Sequence, residues 1–373
     1  MSSPTFTHPP APDLSLPNET LVAIFDGLTP TTLADITRVS RRFNAVAERI
    51  LYSSISITEF LSESSPVPIK TLRCCQSILE RRHLVEAIKR VQIRWHGGFR
   101  TLSPPNLAAA CAEAGVALRS LTFLEGLDIF LGPANRAIIP FNPLHAIERM
   151  IQGCTFPYLR YCSLGAEWTK GVQPYTDILP AFFTLIPSVR YLKLSDHHSA
   201  LDLPPDALPC LSYLRCSPDT AASLLPGRPV QSLALIGMDS DVNRENLPKM
   251  AHTSLALRSL DLSAMQVRPL LIRNISRYLP ALQNLKVRLA LRHTLHYALS
   301  GITLLAGLSS VLSDFHQLVC FDLSPTEIDG TKQANFAEEV SLCAEWSRAC
   351  PTLTRIVFPS GTEWQLGEDG SWV

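Results

Sequence analysis

One six-residue pattern recurs along most of this chain and restricts its fold more than any other feature. Apolar-x-x-apolar-x-apolar begins at Tyr52, Ile88, Leu118, Leu159, Val189, Leu211, Val230, Leu257, Leu282, Leu318 and Leu353, as in "LRYCSL", "VRYLKL", "LSYLRC", "LRSLDL" and "LTRIVF". The starts lie 19 to 41 residues apart. A single such hexamer in a Leu-rich chain says almost nothing. Eleven, mostly preceded by Pro or another helix terminator, say a great deal. The last two apolar positions alternate as a short strand requires, and the first turns inward from the incoming loop.

The spacers between hexamers have the other periodicity. "PPNLAAACAEAG", "NPLHAIERMIQG", "YTDILPAFFTLIP", "RPLLIRNISRYLP", "TLLAGLSSVLSDF" and "QANFAEEVSLCAEWSRACP" read as helices that often end at Gly or Pro. Strands alternating with helices predict parallel pairing. Two middle spacers, around "LDLPPDALP" and "PDTAASLLPGRP", are too short for long helices and predict turns or a few residues of 3₁₀ helix.

Taken together these residues resemble the leucine-rich repeat, in which each unit gives one strand to a parallel sheet and one return segment to the convex side. The resemblance implies an α/β solenoid, a horseshoe with its sheet on the concave face, over residues 53–349. The Asn or Cys ladder position of regular repeats is missing, which predicts irregular curvature. Residues 350–373 hold the last strand and then depart from the pattern: Trp364 and Leu366 alternate, Asp369-Gly370 suits a tight hairpin turn, and Trp372 can fold back over the last repeat as a cap.

Ahead of the repeats the periodicity is helical. Leu21, Ile24, Phe25 and Leu28 occupy i, i+3, i+4 and i+7 of one helix face, with Asn18 as its expected cap and Glu19 near the positive end of the dipole. Thr32 is the expected cap of a second helix carrying Leu33, Ile36 and Val39. Val39, Phe43, Val46 and Ile50 continue the stripe. Three helices in about 40 residues make a marginal core, and Leu16 and Pro17 have nothing local to pack on.

Residues 14–52 resemble an F-box. Its pattern of Leu-Pro and an acidic residue, a Leu, Ile and Leu stripe, and a closing Val-Ser-Arg-Arg-aromatic stretch is matched by Leu16, Pro17, Glu19, Leu21, Ile24, Leu28, Leu33, Val39, Ser40, Arg41, Arg42 and Phe43. Phe43 stands where the family often has Trp. The resemblance implies that Leu16, Pro17, Ile24, Leu28, Leu33 and Val39 contact the Skp adaptor of a cullin-based ubiquitin ligase, although some of them can equally hold the helices together. An F-box followed by degenerate repeats is similar to the large F-box families of mushroom-forming fungi.

Strand alternation also selects candidate target-binding residues. The residue before the second apolar position of each hexamer faces the concave side, giving Arg90, Ser120, Tyr161, Tyr191, Tyr213, Ser232, Ser259, Asn284, Cys320 and Arg355. Tyr161, Tyr191 and Tyr213 form a row, with Ser163, Lys193 and Arg215 beside it. Tyr and Arg dominate energetic hot spots at protein interfaces, so this row is a candidate surface for an acidic or phosphorylated peptide. Tyr also makes good cross-strand pairs, so packing alone explains the row equally well. Arg90, Gln92 and Arg94 beside Trp95 and His96 form a second cluster.

Composition narrows the remaining classes. Formal net charge is zero and only 18% of residues are charged, so no global field gathers nucleic acid or anionic lipid. A local excess of twelve Lys/Arg over five Glu spans residues 38–100 and reads as solvated helix faces or an acidic-partner surface. Residues 1–13 read as a mobile tail without the features of a signal peptide, and no run reaches the ~20 apolar residues of a spanning helix. A cytoplasmic or nuclear location is the expectation. The ten cysteines are scattered, without C-x-x-C or zinc-finger spacing, and read as reduced core thiols. No phosphate loop, nucleophile elbow or H-E-x-x-H pair occurs, and "HGGF" at 96–99 lacks a following phosphate-binding pattern. His197 and His198 are adjacent, face different ways on any regular element, and read as loop or surface residues. No cofactor or metal is expected. Three readings are open: a non-catalytic substrate receptor of a ubiquitin ligase, a repeat scaffold with no ligase attached, or an enzyme with an unrecognised site.

Overall fold

A computed structural model describes residues 16–62, 64–97, 104–132, 134, 144–167, 174–290, 305, 307–327 and 336–373. The N-terminal tail at 1–13 and the part of "HGGF" beyond Gly97 lie outside the described residues.

Three short helices open the chain: α1 (Asn18–Phe25), α2 (Pro30–Ile36) and α3 (Arg41–Leu51). They enclose a small core of Leu21, Phe25, Leu33, Val46 and Ala47. Asn18 is the first residue of α1 rather than its cap, and no side chain caps that helix. Its amide oxygen instead accepts from Arg42 Nε at 2.9 Å. Thr29, three residues earlier than expected, caps α2 by accepting from the Thr32 N–H, and Ser40 caps α3 by accepting from the Phe43 N–H at 3.1 Å.

Two residues after α3 the chain enters a twelve-stranded sheet whose spatial order is its sequence order. The strands are β1 (Ser54–Leu61), β2 (Arg90–Gly97), β3 (Gly126–Phe130), β4 (Tyr161–Gly165), β5 (Tyr191–Leu194), β6 (Tyr213–Cys216), β7 (Ser232–Ile236), β8 (Ser259–Val267), β9 (Asn284–Leu289), β10 (Cys320–Asp322), β11 (Arg355–Val357) and β12 (Glu363–Gln365). All pairings through β11 are parallel. Return helices cover one face: α4 (Ile69–Glu80), α5 (Pro104–Ser120), α6 (Ala146–Ile151), α7 (Ile178–Thr184), α8 (Pro218–Leu224), α9 (Asn246–Met250), α10 (Pro269–Tyr278), α11 (Ser309–Leu312) and α12 (Phe336–Ala349). The architecture is an α/β solenoid of the leucine-rich-repeat kind behind an N-terminal helical unit.

The register is held by backbone rather than by an Asn ladder. At each step one carbonyl accepts two successive N–H groups from the next strand. The Ser53 oxygen takes those of Lys89 and Arg90 at 2.8 and 3.0 Å, the Arg160 oxygen those of Arg190 and Tyr191, and the Val319 oxygen those of Thr354 and Arg355. The result is one continuous row of register partners: Ser54, Arg90, Gly126, Tyr161, Tyr191, Tyr213, Ser232, Ser259, Asn284, Cys320 and Arg355. Spacing along it falls from 36 residues between Ser54 and Arg90 to 19 between Tyr213 and Ser232. The short middle repeats have short return segments: residues 201–209 contain no helix, whereas "PDTAASL" forms the two-turn α8, not the expected turn.

One hexamer forms no strand. "LRSLTF" from Leu118 does not pair: Leu118, Arg119 and Ser120 are the last turn of α5. The strand comes six residues later, in "LEGLDI", with Leu124, Leu127 and Ile129 buried. Gly126, not Ser120, therefore occupies the open-face row. Elsewhere the three apolar positions of the hexamers are sealed in the core between sheet and helices, apart from half-buried Tyr52 and Ile55 of the first, each fully buried large side chain contributing about 1.5–3 kcal/mol. Eight of the ten cysteines are buried, whereas Cys210 is exposed.

The C-terminus closes the solenoid. The antiparallel strand β12 pairs with β11, and Leu366 bridges to Trp372 across a turn in which Gly370 takes φ +79°. Trp364 and Trp372 pack against the core, and Trp364 Nε1 donates to buried Glu339 Oε2 of α12 at 2.8 Å. Apolar surface and the β11 edge are both covered.

Candidate functional site

Two surfaces stand out once the cores are accounted for. The first lies on the helical unit. Leu16 is 50% exposed, Ile24 51% and Val39 66%, and Pro17 is also exposed. Val22, 44% exposed, joins them; it lies off the stripe that selects Ile24, so helical periodicity alone does not find it. Leu28 is half-buried against the small core. Leu33 is different: at 4% exposure it belongs to that core and presents nothing outward.

The Ser-Arg-Arg-Phe stretch acquires a physical role here. Ser40 starts α3, and Phe43 sets its ring edge-on against Phe25 at 5.4 Å between centroids. Arg42 reaches back to Asn18 and to the Leu16 carbonyl, pinning the Leu16-Pro17 arm beside α1. The helical unit is tied to the repeats through Glu48 of α3, which accepts from Arg81 Nη1 at 2.7 Å and lies 3.1 Å from His83 Nε2. One cation of the basic stretch, Arg81, is thereby paired.

The second surface is the open face of the sheet. Tyr161 and Tyr191 stack at 4.7 Å between ring centroids, and Tyr191 and Tyr213 at 4.1 Å and 4°. The stack is a direct result of the register, Tyr161↔Tyr191↔Tyr213. Burial raises the hydroxyl pKa of Tyr161 and Tyr213, so both remain hydrogen-bond donors.

The adjoining row reads Gln92, Asp128, Ser163, Lys193, Arg215 and Ala234. Burial works against the charge of Asp128, yet hydrogen bonds from Arg94 at 2.6 Å and Gln92 at 2.8 Å hold its pKa below the usual range. Lys193 and Arg215 have no carboxylate within ion-pair reach among the described residues. Burial first, and then the Arg215 charge beside it, lower the Lys193 pKa.

The second sequence cluster divides between two faces. Arg90, Gln92, Arg94 and His96 line the open side, His96 stacking on exposed Phe60 at 5.3 Å. Trp95 points the other way, fully buried, with Nε1 donating to Thr71 Oγ1 at 2.9 Å. His197 and His198 also separate: His198 is exposed, but His197 is buried and its Nδ1 lies 2.8 Å from Thr220 Oγ1, so it is no surface residue.

A buried polar cluster completes the picture. The Tyr175 hydroxyl donates to Asp196 Oδ1 at 2.8 Å, and His145 Nε2 is 3.2 Å from Asp196 Oδ2. His145 Nδ1 accepts the Ile147 N–H at the start of α6, which leaves the ring proton on Nε2 for Asp196. These groups satisfy one another and brace the loop after β5. Among the described residues no group of three or more His, Cys, Asp or Glu is disposed to hold a metal, and no helix is long and apolar enough to cross a membrane.

Comparison with known proteins finds a family match over the helical unit. The F-box-like family matches residues 13–58, running from the helices into β1. No curated protein sequence matches the chain. Among solved structures it is similar to an internalin from Listeria monocytogenes, at 13% identity and a TM-score of 0.33 over 91% of this chain and 87% of that one. Residues 13–58 are an F-box-like domain, and the strands and return helices beyond it build a leucine-rich-repeat-type solenoid.

Proposed function

We propose that this chain is the substrate-receptor subunit of an SCF-type, cullin-based ubiquitin ligase. The F-box-like domain docks a Skp-type adaptor and through it a cullin, while the open face of the solenoid holds a protein target. One observation carries the reading: after the three helices have closed their own core, Leu16, Pro17, Val22, Ile24 and Val39 still face outward. Exposed apolar side chains in this number on so small a unit mark a protein contact. The chain itself makes and breaks no bonds in this scheme. It raises the effective concentration of a target near the ubiquitin-carrying enzyme, in the cytoplasm or nucleus.

Affinity capture of the full chain co-expressed with a Skp-type adaptor tests this. Adaptor and cullin are expected to co-purify with the wild type and to be lost when Ile24→Glu and Val39→Glu are combined. The direct continuation of α3 into β1 and the Glu48 contacts to Arg81 and His83 also suit helices that merely cap the first repeat. Wild-type chain that captures no adaptor sinks the ligase reading in favour of that scaffold.

A further inference from the structure

Several cations on the open face are matched by a carboxylate. Arg94 meets Asp128 at 2.6 Å, Lys286 meets Asp322 at 2.9 Å and Arg355 meets Glu363 at 2.7 Å. Two cations at the centre of the face are not. Lys193 and Arg215 are register partners on β5 and β6, so their side chains leave the same face about 4.8 Å apart. Neither reaches a carboxylate among the described residues; of the two acids that lie two strands away along their row, Asp128 is held by Arg94 and Gln92, and Asp261, beyond Ala234, accepts the Ser263 N–H.

Like charges directly opposite each other on neighbouring strands are destabilising. Burial lowers the Lys193 pKa first, and the Arg215 charge adds to it. An anion between them removes the repulsion. Their row neighbours are Ser163 and Ala234, both small and neither charged. Arg160 and Arg190, exposed at the rim beside the same strands, also form no ion pair among the described residues and add to the local positive potential.

We propose that Lys193 and Arg215 receive a phosphorylated side chain of the protein target, with the Tyr161, Tyr191 and Tyr213 stack seating the adjoining peptide. The assignment rests on the open face being the target-binding surface. A phosphate suits the pair better than a carboxylate because one group must serve both cations. It brings a charge of about −1.5 to −2 and three acceptor oxygens, against one charge and two coplanar oxygens. Arg215 supplies a planar fork and Lys193 a compact charge. Target capture is then switched by target phosphorylation.

The test uses immobilised full-length chain and degenerate peptide pools with a fixed centre: phosphoserine, phosphotyrosine, serine or glutamate. At least one phosphorylated pool is expected to be retained tenfold or more above the serine pool and clearly above the glutamate pool. Lys193→Gln with Arg215→Gln should abolish the difference, and Lys286→Gln, which alters a paired cation, should keep it. Equal retention of phosphorylated and serine pools overturns the proposal, as does equal retention of the glutamate pool, which marks a general acidic-peptide face. Thermal midpoints of each variant establish folding; should the double variant not fold, Lys193→Met alone is scored by the same criteria. Adaptor capture is measured on the same preparations. Its loss with phosphopeptide binding intact removes the ligase reading alone, and the converse removes this inference alone.

Discussion

The carboxylate of Glu59, on the inner face of β1, closes the N-terminus of α4 through Thr71. Glu59 Oε2 accepts both the Thr71 N–H at 2.9 Å and its hydroxyl at 2.6 Å, while Oε1 accepts the Lys70 N–H at 2.7 Å. Pro68, at the cap position, offers no side-chain acceptor. The device recurs: buried Glu148 of α6 accepts the Thr176 and Leu179 N–H groups at the start of α7, whose own Asp177 makes no capping bond. In both cases a carboxylate from one segment satisfies orphan donors of the next helix and meets the positive end of its dipole.

Glu59→Gln removes one carboxylate oxygen from a site with three donors. The expected loss is about 1–3 kcal/mol, read as a lowered urea midpoint. Asp35→Asn, on exposed α2, should leave the midpoint within about 0.5 kcal/mol. Equal behaviour of the two variants would contradict the capping role.

On the F-box-like domain the expected effects split by face. Leu33→Ala empties part of a five-residue core and should cost about 2–5 kcal/mol in the stability of that unit. Ile24→Ser, at a half-exposed position, should cost under about 1 kcal/mol while weakening adaptor capture. Hydrogen exchange of α1 to α3 measures the first and co-purification the second. A Leu33 variant with unchanged exchange would remove that residue from the core.

The tyrosine stack predicts energetic coupling. In a double-mutant cycle, Tyr191→Ala and Tyr213→Ala should show an interaction of about 0.5–1.5 kcal/mol, because their rings lie nearly parallel at 4.1 Å. Additive losses would mean that the pair contributes area only.

Gly132 is held by both conformation and space. Its φ is +47°, and a Cβ there would lie 2.3 Å from the Trp95 carbonyl oxygen. Gly227 has φ +75° but open space around it. Gly132→Ala should therefore cost at least about 2 kcal/mol and Gly227→Ala about 1 kcal/mol, the difference isolating the clash. Matching denaturation midpoints would show that backbone conformation is the whole effect.

The open-face row is readable from sequence because its register depends on backbone carbonyls, which every hexamer supplies, so counting alone aligns Tyr161, Tyr191 and Tyr213. The slip at Leu118 shows the limit. "LRSLTF" and "LEGLDI" satisfy the same pattern six residues apart, and only the length of α5 chooses between them. Leu33 and Ile24 are inseparable in sequence for a similar reason: both fit helical periodicity, and which side faces the small core depends on how three helices cross. Glu59, Glu148 and His197 leave no local signal, since their partners are 12, 31 and 23 residues away.

His197 makes the fold sensitive to mild acid. Burial pulls its imidazole pKa down from 6.5 to about 4, opposed by Asp196 and assisted by His198 and His145. The unfolded chain takes up a proton near pH 6.5, whereas the native chain does not until about pH 4. Its contribution is thus fully present above pH 6.5, declines as the pH falls through that window and is lost by about pH 4, a change of roughly 3 kcal/mol at most. His197→Gln removes the titration and keeps a polar group for Thr220. Its unfolding free energy should fall less steeply than that of wild type between pH 6.5 and 4, even if it starts lower. Parallel pH profiles for the two proteins would show that His197 is protonated in the native state, against the burial seen in the fold.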